Sequence, residues 1–180
     1  MNYSYSGFYD PIFERSYTMY KKIYGKEYMI EILDTEENEE IPGIMDRWIK
    51  KGQGFLLVFS INDYESFERI KRIYDKILRT KQSKICPILL VGNKLDLENE
   101  RVVSYSEAKE LADSWRVEYY EVSSRNGSNC QIILEKIIEE IIDLPPHPYP
   151  PFRPPFFLIC ISLCFSICYY SCCCFLCISR

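Results

Sequence analysis

Between Ser16 and Leu33 apolar and polar side chains alternate on either side of Gly25-Lys26, so SYTMYKKIY and EYMIEIL predict two strands of a β-hairpin. The alternation gives way to an acidic segment at Asp34 to Glu40, and after Pro42-Gly43 the stretch IMDRWIKK predicts a short helix. GFLLVF, at 54–59, is apolar without interruption, the pattern of a strand covered on both faces in a parallel sheet. Asn62 or Asp63 is placed to cap the next helix, whose apolar face is Phe67, Ile70, Ile73, Tyr74 and Ile77. PILLVG at 87–92 predicts a second buried strand, followed by a helix from about Ser106 to Trp115, a strand at Glu118 to Val122 and a helix from about Asn129 to Ile142. Strands alternating with helices predict a three-layer α/β fold with ligand sites at the carboxyl ends of its strands.

That rhythm stops near residue 144, where the composition changes twice. Seven of the eleven residues from Pro145 to Pro155 are proline, the composition of an extended polyproline linker, and the lone His147 within it reads as spacer. Phe156 to Ile178 is a run of 23 uncharged residues. As a helix it would reach roughly 35 Å, enough to cross a hydrocarbon core of about 30 Å. The chain therefore divides into a domain at 1–144, a proline-rich linker at 145–155 and a cysteine-rich hydrophobic tail at 156–180, the tail being expected as an apolar helix and membrane anchor. A competing reading is translated non-coding sequence. Nineteen of the 23 residues are Phe, Leu, Cys, Ser or Tyr, all encodable by codons beginning with T, as a pyrimidine-rich stretch would give.

Charge and cysteine sharpen the division. Residues 1–144 carry 20 basic against 26 acidic side chains, which is not the footprint of a nucleic-acid binder. Only Cys86 and Cys130 lie in the domain, as expected of a reduced interior, while seven cysteines crowd the tail. The expected location is the cytoplasmic face of a membrane if the tail anchors, and otherwise the cytoplasm.

Candidate chemistry stands at the ends of two predicted strands. Asn93, Lys94, Leu95 and Asp96 follow PILLVG, and Ser123, Ser124 and Arg125 follow EYYEV. A carboxylate at Asp96 can accept two hydrogen bonds from the N1 and N2 donors of guanine, which adenine does not supply. Such a site rejects the wrong base because its acceptor would be left unpaired.

VGNKLD resembles the fourth conserved motif of Ras-like small GTPases, EVSSR resembles the fifth, usually ETSAK, and FYDPIFERSY resembles the effector loop YDPTIEDSY. GFLLVFSINDYESFERI resembles the Ras and Rap branch more than Rab or Rho, and the similarity runs from about Tyr5 to Ile142. The resemblance implies a P-loop GTPase fold, GTP and GDP as ligands, and Ras-type effectors and exchange factors as partners. It implies that Asn93 ties the two base loops together, that Lys94 lies along the purine, and that Asp96 reads the guanine edge with support from Ser123. It also implies that the Ser124 amide meets the guanine O6 and that Arg125 stands for the usual lysine. Tyr9, Asp10, Pro11, Ile12, Phe13, Glu14, Arg15, Ser16 and Tyr17 would form the effector region.

Other positions depart from the family. The similarity begins downstream of the family's first strand, P-loop and first helix, and none of the seven glycines opens a GxxxxGK[ST] pattern. Roughly five charge-assisted hydrogen bonds at about 1.5 kcal/mol each would go with that loop, on the order of 10⁵ in affinity. Ile12 occupies the place of the threonine that ligates magnesium, so bound magnesium is not expected; Asn38 stands where a glutamine orients water, and Glu36 and Glu37 would repel phosphate. No catalytic residue and no metal ligand is therefore expected. The family's first strand lies at the centre of the sheet, so its loss would split the sheet and leave its two neighbours to pair directly or to stand with unpaired backbone, unless a partner supplied a strand. Three functions follow: a GTPase switch with impaired nucleotide binding and hydrolysis, a nucleotide-independent interaction module, or a truncated product without function.

Overall fold

The computed structural model describes residues 15–36, 43–82, 86–143 and 156–163. The hairpin forms as its alternation predicts, with its turn one residue earlier than Gly25-Lys26. Strand β1 (Arg15–Ile23) pairs antiparallel with β2 (Lys26–Glu36), Ile23 opposite Lys26. The two-residue turn, Tyr24-Gly25, has positive φ at both positions (49° and 79°), the mirror-image turn whose twist suits a hairpin. Helix α1 (Ile44–Lys51) follows, and then β3 (Gly54–Ser60), every residue of which is buried.

Asp63 is the cap of helix α2 (Tyr64–Lys81): its carboxylate accepts from the Ser66 amide at 3.2 Å. The predicted apolar stripe is the buried one, with Phe67, Ile70, Ile73 and Ile77 inside. Tyr74 sits at its margin, stacked on Trp115 with ring centroids 3.9 Å apart. Strand β4 (Ile88–Asn93), helix α3 (Tyr105–Trp115), strand β5 (Glu118–Glu121) and helix α4 (Cys130–Asp143) complete the alternation.

Alternate residues of the central strands face two separate cores. Phe55, Leu57, Phe59, Ile88 and Leu90 pack with side chains of α1, α2 and α3. Leu56, Val58, Leu89 and Val91 pack with Ile133, Ile137, Ile138 and Ile141 of α4. The sheet is thus the middle of three layers, because β3 and β4 are buried on both faces and the helices pack against those faces. Among the described residues no helix is long and apolar enough to cross a membrane.

The expectation for the tail needs correction. Residues Phe156–Leu163 are a strand, β6, and not the start of an apolar helix. The sheet has six strands in the order β1-β2-β6-β3-β4-β5, so β6 lies in the middle. It runs parallel to both neighbours: Leu33 and Phe55 both pair with Cys160, and Asp34 and Leu56 both pair with Ile161. The sheet is therefore not split, and its central strand comes from the same chain. An uncharged run of apolar residues carries no period that separates a helix from a strand buried on both faces. Here the unpaired backbone of β2 and β3 decides, since two open rows of N–H and C=O groups in the middle of a sheet are costly.

Candidate functional site

The carboxyl ends of β3, β4 and β5 are laced together by main-chain hydrogen bonds. Ile61 N–H donates to Asn93 O at 3.0 Å, Val122 N–H to Gly92 O at 2.8 Å and Leu95 N–H to Val122 O at 2.9 Å. Gly92 is required by close approach: a Cβ there would stand 2.6 Å from the Tyr119 hydroxyl oxygen and 3.1 Å from Ile61.

Asn93, 1% exposed, sits at the end of β4 and organises both loops. Its Oδ1 accepts from the Lys94 amide at 2.7 Å, the Ser124 amide at 3.1 Å and the Ser124 hydroxyl at 2.7 Å. Lys94 takes the left-handed conformation (φ 67°), rare without glycine, and that turn starts the 3₁₀ helix Leu95–Glu100. Asp96 lies in its first turn, where the Ser123 hydroxyl donates to Oδ1 at 2.5 Å. Arg125 reaches Oδ2 at only 3.8 Å and is 79% exposed, so this ion pair contributes little. Asn93, Lys94, Asp96, Ser123, Ser124 and Arg125 therefore converge on one edge, although the Ser124 amide, expected to face a base oxygen, is engaged by Asn93.

The Asn93 side-chain amide nitrogen is buried and has no hydrogen-bond partner. A buried donor without an acceptor marks a place where a further polar group fits. The acceptor at Asp96 and this donor suit a purine base. β6 brings its carboxyl end to the same edge, and the sequence after Leu163 contains neither glycine nor lysine. No group of three or more His, Cys, Asp or Glu side chains placed for a metal occurs among the described residues.

Sequence reasoning missed the brace beneath these loops. Arg101 donates to both carboxylate oxygens of Glu121, at 2.7 and 2.9 Å, to both of Glu98, at 2.8 and 2.5 Å, and to Val103 O at 3.1 Å. Tyr119 donates to the same Glu121 at 2.6 Å. The hydrogen bonds to Glu98 and then Glu121 raise the Arg101 pKa, and the one from Arg101 lowers that of Glu98. Burial, then the hydrogen bond to Glu121, pushes the Tyr119 phenol well above its usual range. Arg101 and Glu121 stand 20 positions apart, and no local pattern joins them.

Of the expected effector region, Tyr9, Asp10, Pro11, Ile12, Phe13 and Glu14 lie outside the described residues, as does Asn38. Arg15, Ser16 and Tyr17 open β1, opposite Asp34, Leu33 and Ile32.

A family model described as the Ras family matches residues 1–143. The chain is 42% identical over 133 residues to the Ras-like protein RAS2 of Hydra vulgaris, covering 74% of this chain and 69% of that protein. To the Ras-related protein R-Ras of Mus musculus it is 39% identical over 145 residues, 78% of this chain and 66% of that one. It thus spans about two thirds of the length of these relatives. With the family model over residues 1–143 and these identities, this chain belongs to the Ras family of small GTPases.

Proposed function

We propose that this chain is a Ras-type signalling domain that recognises guanine nucleotides mainly through the base, with phosphate affinity and GTP hydrolysis well below those of the family. The observation that carries the reading is the union of Asn93 with Ser124 and of Ser123 with Asp96, which prepares a carboxylate acceptor without help from a phosphate-binding loop. Binding energy then comes from the base, and guanine is preferred because adenine leaves Asp96 unpaired. The Ile12 side chain offers no oxygen to magnesium, so no hydrolytic step is assigned to a metal here. Nucleotide occupancy in this reading tunes the domain weakly, and Ras-type effectors meet the segment from Tyr9 to Tyr17 with or without it.

Titration of the full chain with guanosine, GDP, GTP and ADP, with and without magnesium, tests this. Guanosine, GDP and GTP are expected to bind within about tenfold of one another, insensitive to magnesium, with ADP rejected and Asp96→Ala abolishing the preference. Micromolar or tighter, magnesium-dependent GTP binding would overturn the weak phosphate grip. Equal binding of ADP would overturn the base reading. Capture on a Ras-binding domain in nucleotide-free buffer tests the effector half; capture that requires GTP sinks it.

A further inference from the structure

We propose that the slot between β2 and β3 is a strand-acceptor site whose ligand is residues 156–163 of the same molecule, so that the tail serves as the separable middle of the sheet. The register is continuous on both sides. Met29 to Glu36 of β2 pair with Phe156 to Leu163, and Gly54 to Val58 of β3 pair with Ile159 to Leu163. Without the tail, β2 and β3 would face each other across an unfilled gap with their inner backbone groups unpaired. An extended apolar segment that supplies both rows of hydrogen bonds is the chemistry such a slot recognises, as in strand insertion generally. FFLICISL has that chemistry: no charge and no proline, with Pro154-Pro155 directly before it to end the pairing.

Reach argues for insertion within one chain. Ile141, in the last turn of α4, lies against Gly54, where an added Cβ would be 2.6 Å from its Cδ1, and Gly54 is the register partner of Ile159. The end of α4 therefore packs over the strand beside β6, a separation on the order of one packed layer, about 10 Å. Residues 144–155 can extend about 37 Å at roughly 3.1 Å per residue, well beyond that separation. A short linker that spans its gap without stretching gives the attached strand an effective concentration of about millimolar, which a second copy in dilute solution does not match.

The same residues cannot also cross a bilayer. With 156–163 in the sheet, the uncharged run left at 164–178 is 15 residues, short of the roughly 20 that a transmembrane helix requires. Seating in the sheet and insertion into a membrane are alternatives for this tail.

A cross-link reads the register directly. Paired Cα atoms on neighbouring strands are about 4.8 Å apart, within disulfide range. In the full chain, with Cys164, Cys168, Cys172, Cys173, Cys174 and Cys177 changed to Ser, Leu33→Cys is expected to form a disulfide with Cys160 inside one molecule on mild oxidation, and Ile32→Cys is not. A disulfide between two molecules, or none in a folded Leu33→Cys protein, overturns the proposal. Hydrogen exchange of the unaltered full chain provides a readout without substitution. The β6-facing amides of β2 and β3 are expected to exchange within about tenfold of those between β3 and β4, and exchange a thousandfold faster would refute insertion. Flotation of the chain on phosphatidylcholine vesicles with this protection intact would refute the exclusion of membrane insertion.

Discussion

The Asn93 side-chain oxygen holds Ser124 twice, through its amide at 3.1 Å and its hydroxyl at 2.7 Å, across 31 residues of sequence. Both residues are buried, so removing one partner leaves real donors without an acceptor. Asn93→Ala is expected to destabilise the domain by about 2–4 kcal/mol, the sum of a lost network and its unsatisfied groups. Urea denaturation should show the midpoint falling at unchanged slope, and guanosine affinity should drop more than tenfold. A variant as stable as the parent would mean that the two loops are held by backbone alone.

Arg101 and Glu121 form the second test. Their side chains are 15% and 12% exposed, and the pair is bidentate. Arg101→Ala strands a mostly buried carboxylate, which costs about 3 kcal/mol, and Arg101→Lys recovers only part because an ammonium cannot meet both oxygens. Thermal melting of the two variants would order them parent, Lys, Ala. Lys equal to the parent would show that the fork geometry is unimportant.

Alkaline pH should weaken the fold. Burial pushes the Cys86 thiol from 9.0 up to about 11. The hydrogen bond to Glu118 is the main cause that raises Tyr120 from 10.0 to about 12, and Tyr119 moves the same way. Each group has a folded pKa above its unfolded one, so folding favours the protonated form. That stability is fully present below about pH 9 and is lost as pH rises through the folded values. Denaturation midpoints measured from pH 8 to 11 should therefore fall, less steeply in Cys86→Ala. A flat profile would contradict the burial of these groups.

Gly54→Ala asks whether α4 can yield. The added methyl would meet Ile141 Cδ1 at 2.6 Å and Ile137 Cγ1 at 3.0 Å, both on buried side chains. A loss of about 1–3 kcal/mol is expected from overpacking. Adding Ile141→Val should return part of it, a coupling that a double-mutant cycle measures. Strict additivity would place the strain elsewhere.

The domain from the hairpin to α4 was legible because its elements carry strong periods and its turns carry chemistry: the alternation of β1 and β2, the Asp63 cap, the unbroken runs of β3 and β4. The contacts of Asn93 with the Ser124 loop and of Ser123 with Asp96 were legible by resemblance. Two things were not. The Arg101–Glu121 brace joins residues that meet only when β5 packs beside the 3₁₀ segment, so its cause is tertiary. An uncharged apolar run such as the tail is compatible with a helix and equally with a strand buried on both faces. Its conformation is decided by the vacancy it fills, which no property of residues 156–163 alone records.

The position of β6 also sets a timetable. Synthesis proceeds from the amino terminus, so Leu33 leaves the ribosome roughly 130 residues before Cys160, its partner at the heart of the sheet. At ~5–20 residues per second the hairpin waits about 6–25 s for its neighbour. During that interval the inner edge of β2 and, once it is made, that of β3 stand without their partner, so slower translation between codons 34 and 160 lengthens their exposure.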